Sequence, residues 1–526
     1  MATITPSARA PNTGLRRLRR RSIAIAATAA ATVAVPGVHA EGWHFTPTVR
    51  ATETYTDNVG LATRGNEKSD VVTQVAPGFS ITSNSPRLKL NASYSLEGTS
   101  YLHGSSSSAF SNQLNATANA ELIRNLFFLD ARGNVGQQNI SAFGPQSTSN
   151  ININNNRTDV RSYSVSPFLR HSFGSKAFSE VRYTRESVDS GSDLLSKSST
   201  DRVNFSLSSG ESSPKIAWGL LGSSQRAHFS NQPTVEQDTV NANLRYFLTP
   251  NFSATTALGY EKETYVSIGN LPTNGVFYNA GLIWKPTSRT DVTATAGHRF
   301  FGDTYLLKAN HRARNAVIMI SYAEDITTAQ QQFASQPTIS TFAFLDQLYT
   351  AQIPDAATRA QVVNALILQT GLSSTLANPI NSLSNIYFLQ KSLQGSVAFN
   401  GVRNTIVLSV FDTRRTAESA QRASSGPVNS PLSSLNDSNK QVGIAAVWNT
   451  RLSSSLNALA DVNFTRTTSL TTARVDNYKT LRLSVSQQFQ NKLNGSIALR
   501  HSQQSSAVLG GDIRENAITA SVFAKF

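Results

Sequence analysis

The chain has 526 residues, of which 39% are apolar and 15% charged, with 30 Gly, 26 Phe, 14 Tyr and no Cys. So little apolar material excludes a bundle of spanning helices, each of which takes about 20 consecutive apolar residues, and the absence of Cys excludes a disulfide framework, a thiolate metal site and a cysteine nucleophile. The formal charge is +15; without the six arginines of residues 1–40, 41 basic residues stand against 32 acidic ones, a net +9. That charge is spread along the chain and not gathered as a nucleic-acid surface requires, so it suits lipopolysaccharide phosphates or an anionic solute instead.

The first element is a targeting segment. Arg16, Arg17, Arg19, Arg20 and Arg21 precede an apolar run from Ile23 to Val35, broken by Pro36 and Gly37 before Val38-His39-Ala40. This is the order of parts in a secretory signal peptide, with cleavage expected after Ala40 and a single domain over 41–526. The apolar run is too short to span a bilayer.

From Trp43 onward, polar and apolar residues alternate in stretches of about ten. Leu88, Leu90, Ala92, Tyr94 and Leu96 share one face, as do Leu114, Ala116, Ala118, Ala120 and Leu122. Val203, Phe205 and Leu207, then Ile216, Trp218 and Leu220, then Val240, Ala242, Leu244, Tyr246 and Leu248 repeat the pattern. It returns in Val442, Ile444, Ala446 and Trp448, in Ala460, Val462 and Phe464 after an interruption at Leu459, and in Leu481, Leu483 and Val485. Period two sustained over such lengths marks strands with one greasy and one wet face.

Connections alternate between short ones (83–86, 123–125, 173–176, 249–251, 285–290, 401–404, 449–453, 490–494) and long polar ones (56–69, 98–111, 137–158, 187–200, 224–237, 261–275, 413–440, 466–477, 502–514). Outer-membrane barrels combine short periplasmic turns with long external loops. The expected architecture is therefore all-β: a transmembrane, antiparallel, up-and-down β-barrel of about 22 strands, within a range of 18 to 24. Both termini then lie in the periplasm of a Gram-negative cell. The most ragged part is 303–322, where a hairpin turning at 312–315 is expected. Trp43, Tyr94, Tyr101, Trp218, Tyr246, Trp284 and Trp448 read as interface aromatics. Strands this long count against a β-sandwich, and the regular alternation counts against disorder.

Residues 325–385 break the pattern. Phe342, Phe344, Leu345, Leu348 and Tyr349 have helical spacing, and a second run from Pro354-Asp355 through Val362, Val363, Leu366 and Ile367 stops at Gly371. This predicts a helix pair inside one long loop, either a cap on neighbouring loops or a constriction folded into the pore. The last strand sets Ile518, Ala520, Val522, Ala524 and Phe526 on one face. Ile518, Val522 and the terminal Phe526 form the expected signal for the barrel-assembly machinery. Because alternation begins at Trp43, no N-terminal plug of the TonB-dependent type is expected.

Several strings carry a family likeness: Gly297-His298-Arg299-Phe300-Phe301-Gly302 with Thr304-Tyr305, the run from Ser321 to Thr327, Leu345-Asp346-Gln347-Leu348 with Gln352-Ile353-Pro354-Asp355, and the run from Asn404 to Leu408. On these the chain resembles the outer-membrane proteins associated with the PEP-CTERM and exosortase systems. The resemblance implies a barrel serving exopolysaccharide export or surface assembly, with exopolysaccharide and periplasmic export proteins as partners.

No HExxH, paired-His spacing, Gly-rich phosphate loop or Gly-x-Ser-x-Gly occurs, so neither an enzyme, a cofactor nor a metal site is expected. His171, His298 and His311 are the only loose candidates for a hydrolase, and Glu180, Glu186 and Asp201 for a sugar-cleaving carboxylate pair. Arg182, Arg185 and Arg299 are the candidates for a basic lumenal track. An open pore and a non-conducting barrel that retains surface polysaccharide both fit this sequence.

Overall fold

The structure, a computed structural model, describes residues 42–526 apart from 148, 192–194, 211–214, 231, 335–340, 350–358, 360–362, 364–378, 381, 420–434, 491 and 508–510. The expected signal peptide and its cleavage point lie outside the described residues. Among the described residues 22 strands form one sheet. They are β1 Trp43–Thr56, β2 Asp70–Asn84, β3 Leu88–Tyr101, β4 Ala109–Ile123, β5 Phe127–Asn139, β6 Arg157–Phe173, β7 Ala177–Ser190, β8 Ser198–Ser209, β9 Ile216–Phe229, β10 Gln232–Thr249 and β11 Phe252–Glu263. There follow β12 Asn274–Thr287, β13 Thr290–Arg299, β14 Gly302–Arg312, β15 Ala316–Thr327, β16 Phe388–Asn400, β17 Asn404–Ala417, β18 Asn439–Arg451, β19 Leu456–Ser469, β20 Val475–Gln490, β21 Leu493–Ser506 and β22 Ile513–Lys525. Helices α1 (Ala329–Ala334) and α2 (Thr341–Tyr349) lie between β15 and β16.

Each strand pairs antiparallel with its chain neighbours, and β1 pairs with β22 from Thr48↔Lys525 to Thr56↔Ala517, which closes the sheet. Closure is what lipid demands, because an open edge would leave a row of backbone groups with no water to satisfy them. Inside the seam Thr54 and Thr519 share a 3.0 Å hydrogen bond and Thr56 donates to Glu515 at 2.9 Å. At a strand spacing of about 4.8 Å and a tilt of about 40°, 22 strands enclose a cylinder roughly 40 Å across.

The outward face carries the apolar alternation. Ile216, Trp218, Leu220, Leu244, Tyr246, Leu258, Tyr260, Leu282, Trp284, Ile444, Trp448, Leu481, Leu483, Ile518 and Val522 are all exposed, with nothing but lipid to cover them. Trp43, Trp218, Tyr246, Trp284 and Trp448 stand at the end of the barrel that carries the short turns, while Tyr55, Tyr163, Tyr260, Tyr278 and Tyr305 ring the outward face nearer the loops. Tyr101, expected among these aromatics, instead turns inward and donates to the Ile151 carbonyl. The tight turns use left-handed residues where the chain must reverse at once: Asn125 (φ 56°) follows β4 and Gly174 (φ 62°) follows β6.

Strands run further than the polar composition of the loops indicates. The connection expected over 224–237 is almost all strand, since β9 continues to Phe229 and β10 resumes at Gln232. That over 98–111 shrinks to 102–108. Outside the hydrocarbon no apolar alternation is needed, so these extensions carry polar residues on both faces and read as loop. The ragged 303–322 segment is the hairpin β14–β15, turning at 313–315 as expected.

Candidate functional site

The interior is divided into a capped mouth and a wet well. At the loop end inward residues are buried under loops: Ile151 packs with Val59 and Val72, Asn152 donates to Glu515, and the Gln146 backbone N–H donates to Gln504. Nearer the short turns, the inward residues Lys89, Asn91, Gln113, Asn115, Asn119, Arg132 and Asn134 on β3, β4 and β5 are exposed to the lumen.

The cap is held by Asn436, which is 1% exposed. Its carbonyl oxygen accepts from the Ser141 hydroxyl (2.9 Å) and the Ala142 N–H (3.3 Å), and its amide group donates to the carbonyls of Ile140 (2.9 Å) and Leu383 (3.0 Å). One side chain thus joins the β5–β6 loop, the segment before β16 and the segment before β18. Asn385 adds a second joint, accepting from the Ser196 N–H and, at its backbone carbonyl, from Gln232. Beside this lid Asp437 accepts from Ser384 at 2.8 Å, yet burial pushes its carboxyl up to about 6.

The insertion does more than cap. α1 packs against β6 and β7, across the barrel from the strand it leaves, with Ala329 beside Val160, Val188 and Leu195. Arg415, inward on β17 and 1% exposed, ties it down by donating to Gln332 of α1, to Gln390 and to Ser382, with its guanidinium over Phe388. α2 goes to the opposite end. Leu345 and Leu348, with Val363, pack on Val317, Ala398, Val407, Val447 and Leu459, which belong to β15 through β19. Tyr349 reaches Thr405 at 3.5 Å. Val317 is ten residues below Thr327, about 33 Å along the strand and about 25 Å in depth. The constriction reading of this insertion therefore fits the geometry as well as the cap does. Of the second expected helical run, only Arg359 and Val363 fall within the described residues, and both are helical.

The proposed basic track is not assembled. Arg182 faces inward, donates to Asp130 at 2.6 Å and Glu180 at 2.9 Å, and lies 3.7 Å over Phe168. Arg299 also faces inward, six strands away, held by Glu261 at 2.6 Å and Asp325 at 2.8 Å beside a cavity of about 300 Å³. Arg185 lies on the outward face, paired with Asp201 next to Tyr183. In a strand, residues three apart point to opposite sides, so Arg182 and Arg185 cannot line one lumen.

The carboxylates separate likewise. Glu180 is bound by Arg170 and Arg182, Glu186 lies 3.6 Å from Arg202, and Asp201 is outside. His171, His298 and His311 all face outward, beside Phe173, Asp303 and Thr290. Ile518 and Val522 are outward next to the β1 seam, and the Phe526 N–H donates to the Pro47 carbonyl at 3.0 Å. Sequence reasoning missed Asn436, Arg415 and the inward apolar patch. The patch had a signal: Leu459 interrupts the β19 alternation, and Val317, Val407 and Val447 put apolar residues on the wet face.

Residues 33–306 match the family described as "Putative beta-barrel porin 2". The chain belongs to this porin family. No curated protein matches the sequence. Among solved structures, the FrpB iron transporter of Neisseria meningitidis (F3-3 variant) aligns at 10% identity over 93% of this chain and 82% of that one, TM-score 0.49. The siderophore receptor PirA of Pseudomonas aeruginosa aligns at 9% identity over 91% and 80%, TM-score 0.43, and OccAB1 of Acinetobacter baumannii at 10% over 93% and 99%, TM-score 0.33. Likenesses this distant say nothing about what the porin carries.

Proposed function

We propose that this porin is a loop-gated outer-membrane channel for anionic, hydrophilic cargo, and not an enzyme. The observation that carries it is the distribution of inward cations. On the β6–β13 wall Arg170, Arg182, Arg202 and Arg299 are each met by carboxylates, and Arg245 donates to the Ser253 hydroxyl at 3.1 Å. On the wall running from β20 through the seam to β5, Arg500 is held by Glu515 at 2.9 Å, while Arg482, Arg50, Lys89 and Arg132 face the well and make no ion pair among the described residues. Unpaired cations along one side of a wet passage attract and guide anions. Arg50, Lys89 and Arg132 stand on strands other than β15–β19, where α2 is seated, and the width of that helix, about 10 Å, narrows a lumen of this size without filling it.

In this reading residues 1–40 are removed on export, the turn end and both termini face the periplasm, and the loops face outward among lipopolysaccharide. Ile518, Val522 and Phe526 present the last strand to the assembly machinery. The resemblance to the PEP-CTERM and exosortase-associated proteins supports an exopolysaccharide as the cargo, handed over by periplasmic export proteins at the open end. Planar-bilayer recordings in a salt gradient test the channel. The expected result is an anion-selective reversal potential that moves toward cation selectivity in R50E/R132E. A selectivity unmoved by those substitutions would overturn it.

The closed Asn436 lid favours one other reading, a non-conducting barrel whose loops hold surface polysaccharide. Absence of current from folded protein, persisting in Asn436→Ala, would favour that reading over the channel.

A further inference from the structure

We propose that the outward face of β17–β20, at the loop end, binds the phosphate-bearing headgroup of a membrane lipid. Each of these four consecutive strands changes from apolar to cationic at the same boundary. On β17 the outward Ile406, Leu408 and Val410 give way to Asp412 and Arg414, and on β18 Lys440 precedes Val442, Ile444 and Trp448. On β19 Val462 and Phe464 are followed by Arg466, and on β20 Lys479 precedes Leu481, Leu483 and Val485. The register places Arg414 opposite Lys440, Arg466 opposite Val442 and Lys479 opposite Phe464. The cations step along the strands from one to the next, as a level boundary crosses tilted strands.

The patch is short of anions. Asp412 pairs with Lys440 at 3.1 Å, while Arg414 and Arg466 are exposed and make no ion pair among the described residues. Lys479 has the Phe464 ring at 5.9 Å. At three other outward positions the protein supplies its own partners, Asp201 to Arg185, Glu236 to Arg226 and Glu324 to Lys391, while Arg161, Lys262 and Arg514 stand singly on separated strands. A guanidinium at the edge of hydrocarbon is costly without a counter-ion, and a phosphate accepts two of its N–H groups at once. Four strands span about 14 Å between the outer two, so the patch meets a headgroup carrying separated phosphates better than a single point charge. The chemistry holds in either leaflet; the assignment to the outer one rests on the orientation proposed above.

The test uses folded protein in nonionic detergent, titrated by native mass spectrometry with a diphosphorylated glucosamine lipid, the same lipid stripped of phosphate, and inorganic phosphate. The diphosphorylated lipid is expected to bind, and R414A/R466A to weaken it at least tenfold, while R185A leaves it unchanged. Heat-dependent gel migration shows that each variant is folded. Equal affinity for the stripped lipid, or undiminished binding by R414A/R466A, would overturn the site. Displacement of the lipid by equimolar inorganic phosphate would overturn a lipid as the source of that phosphate. Labelling of Thr472→Cys on intact cells tests the orientation separately: no labelling overturns the outer-leaflet assignment and leaves the headgroup chemistry to the titration.

Discussion

At the scale of single residues, the lid and the wall differ in how much one side chain controls. Asn436 makes four hydrogen bonds while buried, and Asn436→Ala removes them all and leaves the Ser141 hydroxyl, the Ala142 N–H and the Leu383 carbonyl seeking partners, while the Ile140 carbonyl keeps the Leu383 N–H. At about 1 kcal/mol for each bond lost, the lid should loosen by several kcal/mol, seen as a higher open probability in single-channel recordings. Asp437 adds a pH dependence. Its carboxyl is held up to about 6 by burial, against an ordinary value of 3.8, so the closed lid binds a proton that the loosened one releases. Closure is therefore favoured in acid, loses stability as pH rises from about 4 to about 6, and stays weaker above that, by at most about 3 kcal/mol. Conductance should rise between about pH 4 and about pH 6, and Asp437→Asn should flatten that response. Arg299 and Arg185 give a third contrast. Removing Arg299 strands Glu261, whose side chain is 2% exposed, at a cost of about 3–5 kcal/mol. Arg185 is half exposed, and its loss should cost under about 1 kcal/mol. The temperature at which heat-dependent gel migration changes should fall clearly for Arg299→Ala and hardly for Arg185→Ala. The two faces of Arg182 and Arg185 were legible in their spacing alone. The partners of Arg299 were not, because Glu261 and Asp325 come from β11 and β15 and meet it only when strand register is known.

At the scale of elements, strands announce themselves and inserted helices do not say where they go. Alternation specifies a strand because lipid and water face opposite sides of one chain. The spacing of Leu345 and Leu348 marks a helix equally well, but its seat is written on five other strands, as Val317, Ala398, Val407, Val447 and Leu459. Loop ends were misjudged for a related reason: β9 and β10 continue beyond the hydrocarbon, where nothing selects for apolar residues. Leu345 is 1% exposed, so Leu345→Ala should cost the contact about 2–4 kcal/mol. Unseating α2 should raise single-channel conductance with the barrel intact, as a gel-migration control would show.

At the scale of the whole molecule, the strand number follows from repetition, and the closing seam follows from the even number and the shared end of the two termini. Filling the interior is a separate matter, since a cylinder of 22 strands is wider than its own inward side chains can occupy. Replacing residues 329–386 by a short glycine-containing turn should still give a folded barrel, because Thr327 and Phe388 are already cross-strand partners. Its conductance should exceed that of the intact protein several-fold, and an unchanged conductance would show that the insertion does not limit flow.

The pairing of Thr327 with Phe388 has one more consequence. The stopper is a hoop whose two feet stand side by side on the rim, unlike a cork on a single string. It cannot be pulled free through the turn end, so any opening must be a swing or a collapse about those feet. The same tether sets the route of entry: whenever the hoop folds in, it does so through the mouth on whose rim its feet stand.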